Sequence, residues 1–140
     1  MLSKMLVAND GSPGGQKALE YALDLARRVG IGGVTMICVE EIPRFPASID
    51  EVVEIEANAG GVFHRVLGSA QTLAQSYGVA LEARVVVGHP VPKVVEFIEK
   101  NGFDLLIIGF MGHTALYNRL IGGTTDRLVE HAPCTVIVVK

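Results

Sequence analysis

Three stretches of the chain hold residues whose type and spacing could do chemistry. Asn9-Asp10-Gly11-Ser12 follows a short apolar run and sets a carboxylate beside a turn. Gly109-Phe110-Met111-Gly112-His113 follows the run Leu105-Leu106-Ile107-Ile108. Gly122-Gly123-Thr124-Thr125 opens a segment of helical period. Glycines at a helix start expose backbone N–H groups, and the helix dipole favours an anion there. The Gly112…Gly122-Gly123 arrangement could therefore wrap a phosphate chain. The same glycines could equally do no more than make the turns. No Gly-Lys-Ser/Thr follows at the spacing of a Walker A loop, and Gly11-Ser12-Pro13-Gly14-Gly15 is not GxGxxG. A Rossmann dinucleotide site is therefore unsupported.

The other polar residues each carry a plainer reading beside the chemical one. Asp10 either meets a ligand or caps the turn that follows it. His113 lies inside the candidate phosphate loop, where it either meets a phosphate or faces solvent. Arg119 and Arg127 are within sequence reach of that loop, with surface charge as the default for both. His64, His89 and His131 show no HExxH or HxxxH spacing, so no histidine metal site is expected. Cys38 and Cys134 lie far apart, outside any CxxC or zinc-type pattern, and read as reduced, buried thiols. Glu51, Glu54 and Glu56 read as a solvated helix face. No Ser-His-Asp or Cys-His set assembles.

Positioning these loops requires alternating strands and helices. Met5–Ala8 reads as a buried strand. Ser12 offers a helix N-cap with Pro13 at the first helical position. Leu19, Ala22, Leu23, Ala26 and Val29 recur at helical spacing until Gly30. Val34–Val39 reads as a second strand, and Glu40 to about Ser48 as an irregular stretch carrying Pro43 and Pro46. A helical piece around Ile49–Ala57 precedes Gly60-Gly61. A helix from about Phe63 to Tyr77 follows, with Val66, Ala70 and Leu73 on one face. Val79–Val87 reads as strand three, and Val94, Val95, Phe97 and Ile98 mark a helix ended by Gly102. Asp104–Gly109 reads as a buried strand, 125–131 as a helix, and Thr135–Val139 as the last strand. Such alternation implies a parallel sheet covered on both faces. Ligands then bind beyond the carboxyl ends of the strands, where strand order reverses.

Bulk composition narrows the classes. A chain of 140 residues fits one domain, 1–140. It is 49% hydrophobic and 19% charged, which argues against disorder. The net charge of −3 leaves no basic excess to displace phosphate counterions, so nucleic acid is not the expected partner. The first apolar run is too short for a signal peptide or a membrane span, and a cytoplasmic location is expected.

Taken together, these segments resemble the universal stress protein family over the whole chain. Gly109-x2-Gly112-x9-Gly122 is similar to the nucleotide signature of its ATP-binding members. Met5-Leu-Val-Ala-Asn-Asp-Gly-Ser12 resembles the family's first strand and the acidic residue ending it. Gly88-His-Pro90 resembles its turn into the third helix. Asp104-Leu-Leu-Ile-Ile-Gly109 resembles its fourth strand, and His131-Ala-Pro-Cys-Thr-Val-Ile-Val-Val139 its last. The resemblance implies a Rossmann-like α/β fold. That fold is an open five-stranded parallel sheet of order 3-2-1-4-5 with helices on both faces. It implies ATP, with Mg or Mn, at Ala8, Asp10, Val39, Gly109, Gly112, His113, Gly122, Gly123, Thr124 and Thr125. In that scheme Asp10 lies near adenine and ribose, and the Val39 backbone meets the adenine edge. Gly109 and Gly112 allow close approach, and Gly122, Gly123 and Thr124 give N–H groups to the phosphates. Two positions depart from the pattern. Gly123 stands where Ser or Thr is usual, and Asn9 where an apolar residue is commoner.

Three functions are open at this level. One is a nucleotide-binding regulatory module in a stress response, with slow or no hydrolysis. A second is a slow ATP hydrolase, although the loop offers no lysine for phosphoryl transfer. A third is a nucleotide-free interaction protein of the same fold. The resemblance also implies a homodimer joined through the last strand, with a protein partner left unidentified.

Overall fold

The computed structural model describes residues 3–41, 61, 63–110 and 123–140. In chain order these form β1 Met5–Ala8, α1 Pro13–Val29, β2 Gly33–Glu41, α2 His64–Tyr77 and β3 Ala80–Gly88. They continue as α3 Pro90–Asn101, β4 Leu105–Gly109, α4 Thr124–His131 and β5 Thr135–Val139. The five strands pair in the order β3-β2-β1-β4-β5, and every pairing is parallel. The expected α/β sheet is thus observed, strand order included.

Alternation along the strands supplies two cores. Met5 and Val7 of β1 face α1 and α2, against Leu19, Leu23, Ala70 and Ala74. Leu6 faces the opposite side, where Val91, Val94, Ile98 and Leu128 of α3 and α4 close over it. The central strands β1 and β4 are apolar on both faces for this reason. Edge strands β3 and β5 are only half-covered.

The signals at α1 act as the sequence indicates. Ser12 is extended and its Oγ accepts a hydrogen bond from the Gly15 N–H at 3.1 Å, with Pro13 beginning the helix. Gly30 adopts φ +79°, the left-handed C-terminal turn. Val29 departs from expectation and is half exposed. The Gly30 turn reverses the chain, and the Ile31 N–H bonds the Ala26 carbonyl at 2.9 Å. Ile31 then packs on the core over the last turn, where Val29 was expected.

One other boundary differs. β2 continues through Glu40 and Glu41, which pair with Val87 and Gly88 of β3, so the irregular stretch does not begin at Glu40. The helical piece expected around Ile49–Ala57 lies outside the described residues. At the opposite end of the sheet, Asp104 accepts from the Ser3 N–H and Oγ–H, both at 2.9 Å, and from the Lys4 N–H at 3.1 Å. The Ser3 N–H foremost, then the Lys4 N–H, holds this carboxyl below its ordinary range. No described helix is long and apolar enough to cross a membrane.

Candidate functional site

After β1 the chain builds outward to β2 and β3 on one side, then returns to place β4 and β5 on the other. The order therefore reverses between β1 and β4, and a crevice is expected beyond their carboxyl ends. A cleft of about 450 Å³ lies there. Ala8, Asn9 and Asp10 line it from the end of β1, Ile37, Val39, Glu40 and Glu41 from β2, and Ile108 and Gly109 from β4. Phe63 just before α2, Val66 of α2, Pro90 and Val94 of α3, Thr124 and Leu128 of α4, and Ser12 and Gly15 at the start of α1 complete the described walls.

The loop from β1 to α1 is tied by short hydrogen bonds. Asn9 Oδ1 accepts from the Gly11 N–H, and Asp10 Oδ1 accepts from the Ser12 N–H, each at 2.9 Å. These are two successive Asx turns. Asp10 thus caps the turn, as the plainer reading had it, while also lining the cleft. Its charge is felt at the end of β2. The buried Cys38 thiol is pushed up to about 11, by desolvation first and by Asp10 second.

On the other side of the cleft, the Thr125 hydroxyl donates to the Gly109 carbonyl at 3.1 Å and is buried. Its proton is committed to tying α4 to β4. Gly123 stands at the N-cap of α4 with φ −59° and supplies no side-chain cap. Gly109 has a packing reason to be glycine. A β-carbon there would run into the Gly14 backbone.

The structure brings Ala8, Asp10, Val39, Gly109 and Thr124 onto one cleft. Gly123 and Thr125 flank Thr124 at the start of α4. Gly112, His113, Gly122 and Arg119 lie outside the described residues. Arg127 is exposed on α4, and His64, His89 and His131 are exposed and scattered over the surface. Among the described residues no cluster of three or more His, Cys, Asp or Glu side chains is placed to hold a metal ion. Cys134 is half-buried, a correction to the reading of both thiols as buried, because β5 is an edge strand.

Sequence reasoning missed Phe63, Val66 and the carboxylates of Glu40 and Glu41 as cleft residues. Phe63 stands at the N-cap of α2 and Val66 lies in its first turn, and only tertiary packing carries them to the end of β1. Asn9 stood out only as a departure. The signal that it mattered was Gly15, a helix-weakening residue inside the first turn of α1.

Comparison with known proteins extends over the same residues. The family model described as the universal stress protein family matches residues 1–140. The universal stress protein MJ0531 of Methanocaldococcus jannaschii is 27% identical, with 100% of this chain and 83% of that protein covered. The protein YxiE of Bacillus subtilis is 26% identical over 100% of both chains. Among solved structures, a universal stress protein in complex with cAMP superposes with a TM-score of 0.78 at 24% identity, covering 99% of this chain and 97% of that one. A universal stress protein family member from Arabidopsis thaliana with AMP bound gives a TM-score of 0.65 at 18% identity, covering 99% and 91%. The two structures share the fold. With its whole length matched by the family model, the chain belongs to the universal stress protein family.

Proposed function

We propose that this protein binds an adenine nucleotide, with ATP as the physiological ligand, and acts as a regulatory module rather than as a fast enzyme. The observation that carries the reading is the cleft itself. It sits at the reversal of strand order, where open α/β sheets bind ligands. Its walls divide by chemistry. Ile37, Val39, Ile108, Val94 and Leu128 offer an apolar surface suited to a base, and Thr124 opens the α4 end suited to phosphate. The cAMP and AMP complexes of the two solved relatives support the same ligand class. In this reading Ala8, Asp10 and Val39 meet the nucleoside, and Gly109 borders it. Gly112, His113, Gly122, Gly123, Thr124 and Thr125 form the phosphate side, with Mg or Mn accompanying the phosphates.

Hydrolysis is slow or absent in this proposal. The sequence supplies no recognisable lysine or arginine finger for phosphoryl transfer, a device that contributes about 10³–10⁵ in rate. The same reading places one domain over 1–140, in the cytoplasm, as a homodimer joined through β5. Calorimetric titration with ATP, AMP and cAMP, alongside mass spectrometry of ligand released from the purified protein, tests the ligand. Saturable ATP binding that is lost in Gly112→Val, with the fold intact, is the expected result. A folded wild type that takes up none of the three nucleotides sinks the proposal.

A further inference from the structure

We propose that Asn9 is a positioning residue that presets Asp10 for the nucleotide. The inference rests on the nucleotide reading of the cleft. Asn9 is 2% exposed, and it and Thr125 are the only buried polar side chains among the described residues. A buried amide costs free energy unless it is well partnered. Among the described residues its Nδ2 reaches the Met36 thioether alone, at 3.6 Å, and sulfur is a weak acceptor. An apolar side chain would suit that part of the pocket better. The other end of the amide is firmly engaged, because Oδ1 holds the Gly11 N–H.

That bond sits in a closed set of contacts. Asn9 holds Gly11, Asp10 holds Ser12, and Ser12 holds Gly15. Gly15 returns to Asn9, because a β-carbon on Gly15 would collide with Asn9 Oδ1. Gly11, at φ +85°, occupies a conformation that side-chain residues rarely adopt. The Asn9 side-chain carbonyl therefore fixes a glycine-only turn next to Asp10. With the loop so fixed, Asp10 Oδ1 is turned back onto the Ser12 N–H while the residue lines the cleft. Loss of the Asn9 acceptor frees Gly11, and the Asp10 carboxylate must then be ordered when the ligand arrives.

Binding and stability separate this role from simple packing. Asn9→Val is expected to fold with a melting temperature at or near that of the wild type, and to bind ATP about tenfold more weakly, the equivalent of one hydrogen bond. Asn9→Ser keeps an oxygen that can take the Gly11 N–H in the related Ser turn, so it should recover part of the affinity. Gly15→Ala alone should lose both stability and affinity. Asn9→Val/Gly15→Ala should regain part of the stability, because the closest collision, with Asn9 Oδ1, is gone, and leave the affinity low. Hydrogen exchange at the Gly11 amide should accelerate in Asn9→Val and slow again in Asn9→Ser. If Asn9→Val binds ATP as the wild type does, the inference is overturned while the nucleotide reading survives. If the wild type itself binds none of the nucleotides, the nucleotide reading falls and the inference falls with it.

Discussion

Gly109 at the end of β4 and Gly14 in the first turn of α1 meet backbone to backbone. A β-carbon on Gly109 would lie 2.9 Å from the Gly14 Cα and nearer still to its carbonyl. A β-carbon on Gly14 would in turn lie 3.2 Å from the Phe110 carbonyl oxygen. The close approach packs the start of α1 against the end of β4, where Gly109 lines the cleft.

Gly109→Ala should therefore destabilise the protein without a nucleotide present. Neither backbone can yield as a flexible side chain does, so a loss of about 1–3 kcal/mol is expected, the range for overpacked sites. Urea unfolding of the ligand-free variant checks this. A variant as stable as the wild type would return Gly109 to a role in ligand approach alone.

Gly123→Ser should bind ATP more tightly than Gly123→Ala. At φ −59° the backbone accepts either side chain, so strain does not explain the glycine. Thr125 cannot stand in for the missing hydroxyl, because its proton is held by the Gly109 carbonyl. A hydrogen bond to a charged phosphate contributes roughly 1.5–3 kcal/mol, which is about one to two decades in Kd. Calorimetry on both variants measures it. Equal affinities for Ser and Ala would show that the hydroxyl is irrelevant at this position.

Val138→Pro should convert a dimer into a folded monomer. The Phe110 N–H donates to the Val139 carbonyl at 2.9 Å, so Val139 faces β4. Strand alternation turns the N–H of Val138 to the open edge. Proline there removes only an outward donor, which an edge strand tolerates. Sedimentation velocity at micromolar concentration reads the outcome. A monomeric wild type, or a variant that stays dimeric, counts against pairing through β5.

A thiol reagent at pH 8 should label Cys134 and spare Cys38 until denaturant is added. Cys38 is fully buried and its thiol is pushed up to about 11, against an ordinary 9.0. Burial also raises Cys134, but that residue is half-buried and reachable. The raised value has a stability consequence of definite sign. The folded state prefers the protonated thiol, so its contribution is whole below about pH 9. It is lost as the pH rises from there toward about 11. Cys38→Ala should flatten this alkaline loss in melting temperature. Rapid labelling of native Cys38 would show that the core opens at this strand.

Local chemistry made most of the scaffold legible. Ser12 with Pro13, Gly30 and Gly102 each announce a helix end in three or four residues, and the apolar runs of β1 and β4 need no neighbour to be recognised. What stayed hidden depends on residues that meet only in the folded chain. The occlusion of Gly109 requires Gly14 to arrive from α1. The place of Val29 is taken by Ile31 through a turn whose packing partner is the core itself. Asn9 and Gly15 are six positions apart, yet neither makes sense until the loop brings the amide over the helix. Asp10 was found because it follows a strand end, Thr124 because glycines lead into its helix, and Val39 through the family resemblance. Phe63 and Val66 carry no such mark of the crevice they will face.

The seam between β1 and β4 joins Met5 to Leu105 and Val7 to Ile107, with Ser3 fastened to Asp104 across 101 positions of chain. Pairings of such long sequence separation form late, since closing so large a loop costs entropy before contacts repay it. The β1–α1–β2 and β4–α4–β5 units, which pair Met5 with Val34 and Leu105 with Thr135, have the shorter reach and are expected to assemble first. The cleft straddles the late seam, so it is completed at the end of folding. A nucleotide seated there bridges the two halves of the sheet and slows their parting. Refolding followed by nucleotide capture should therefore lag behind refolding followed by helix content.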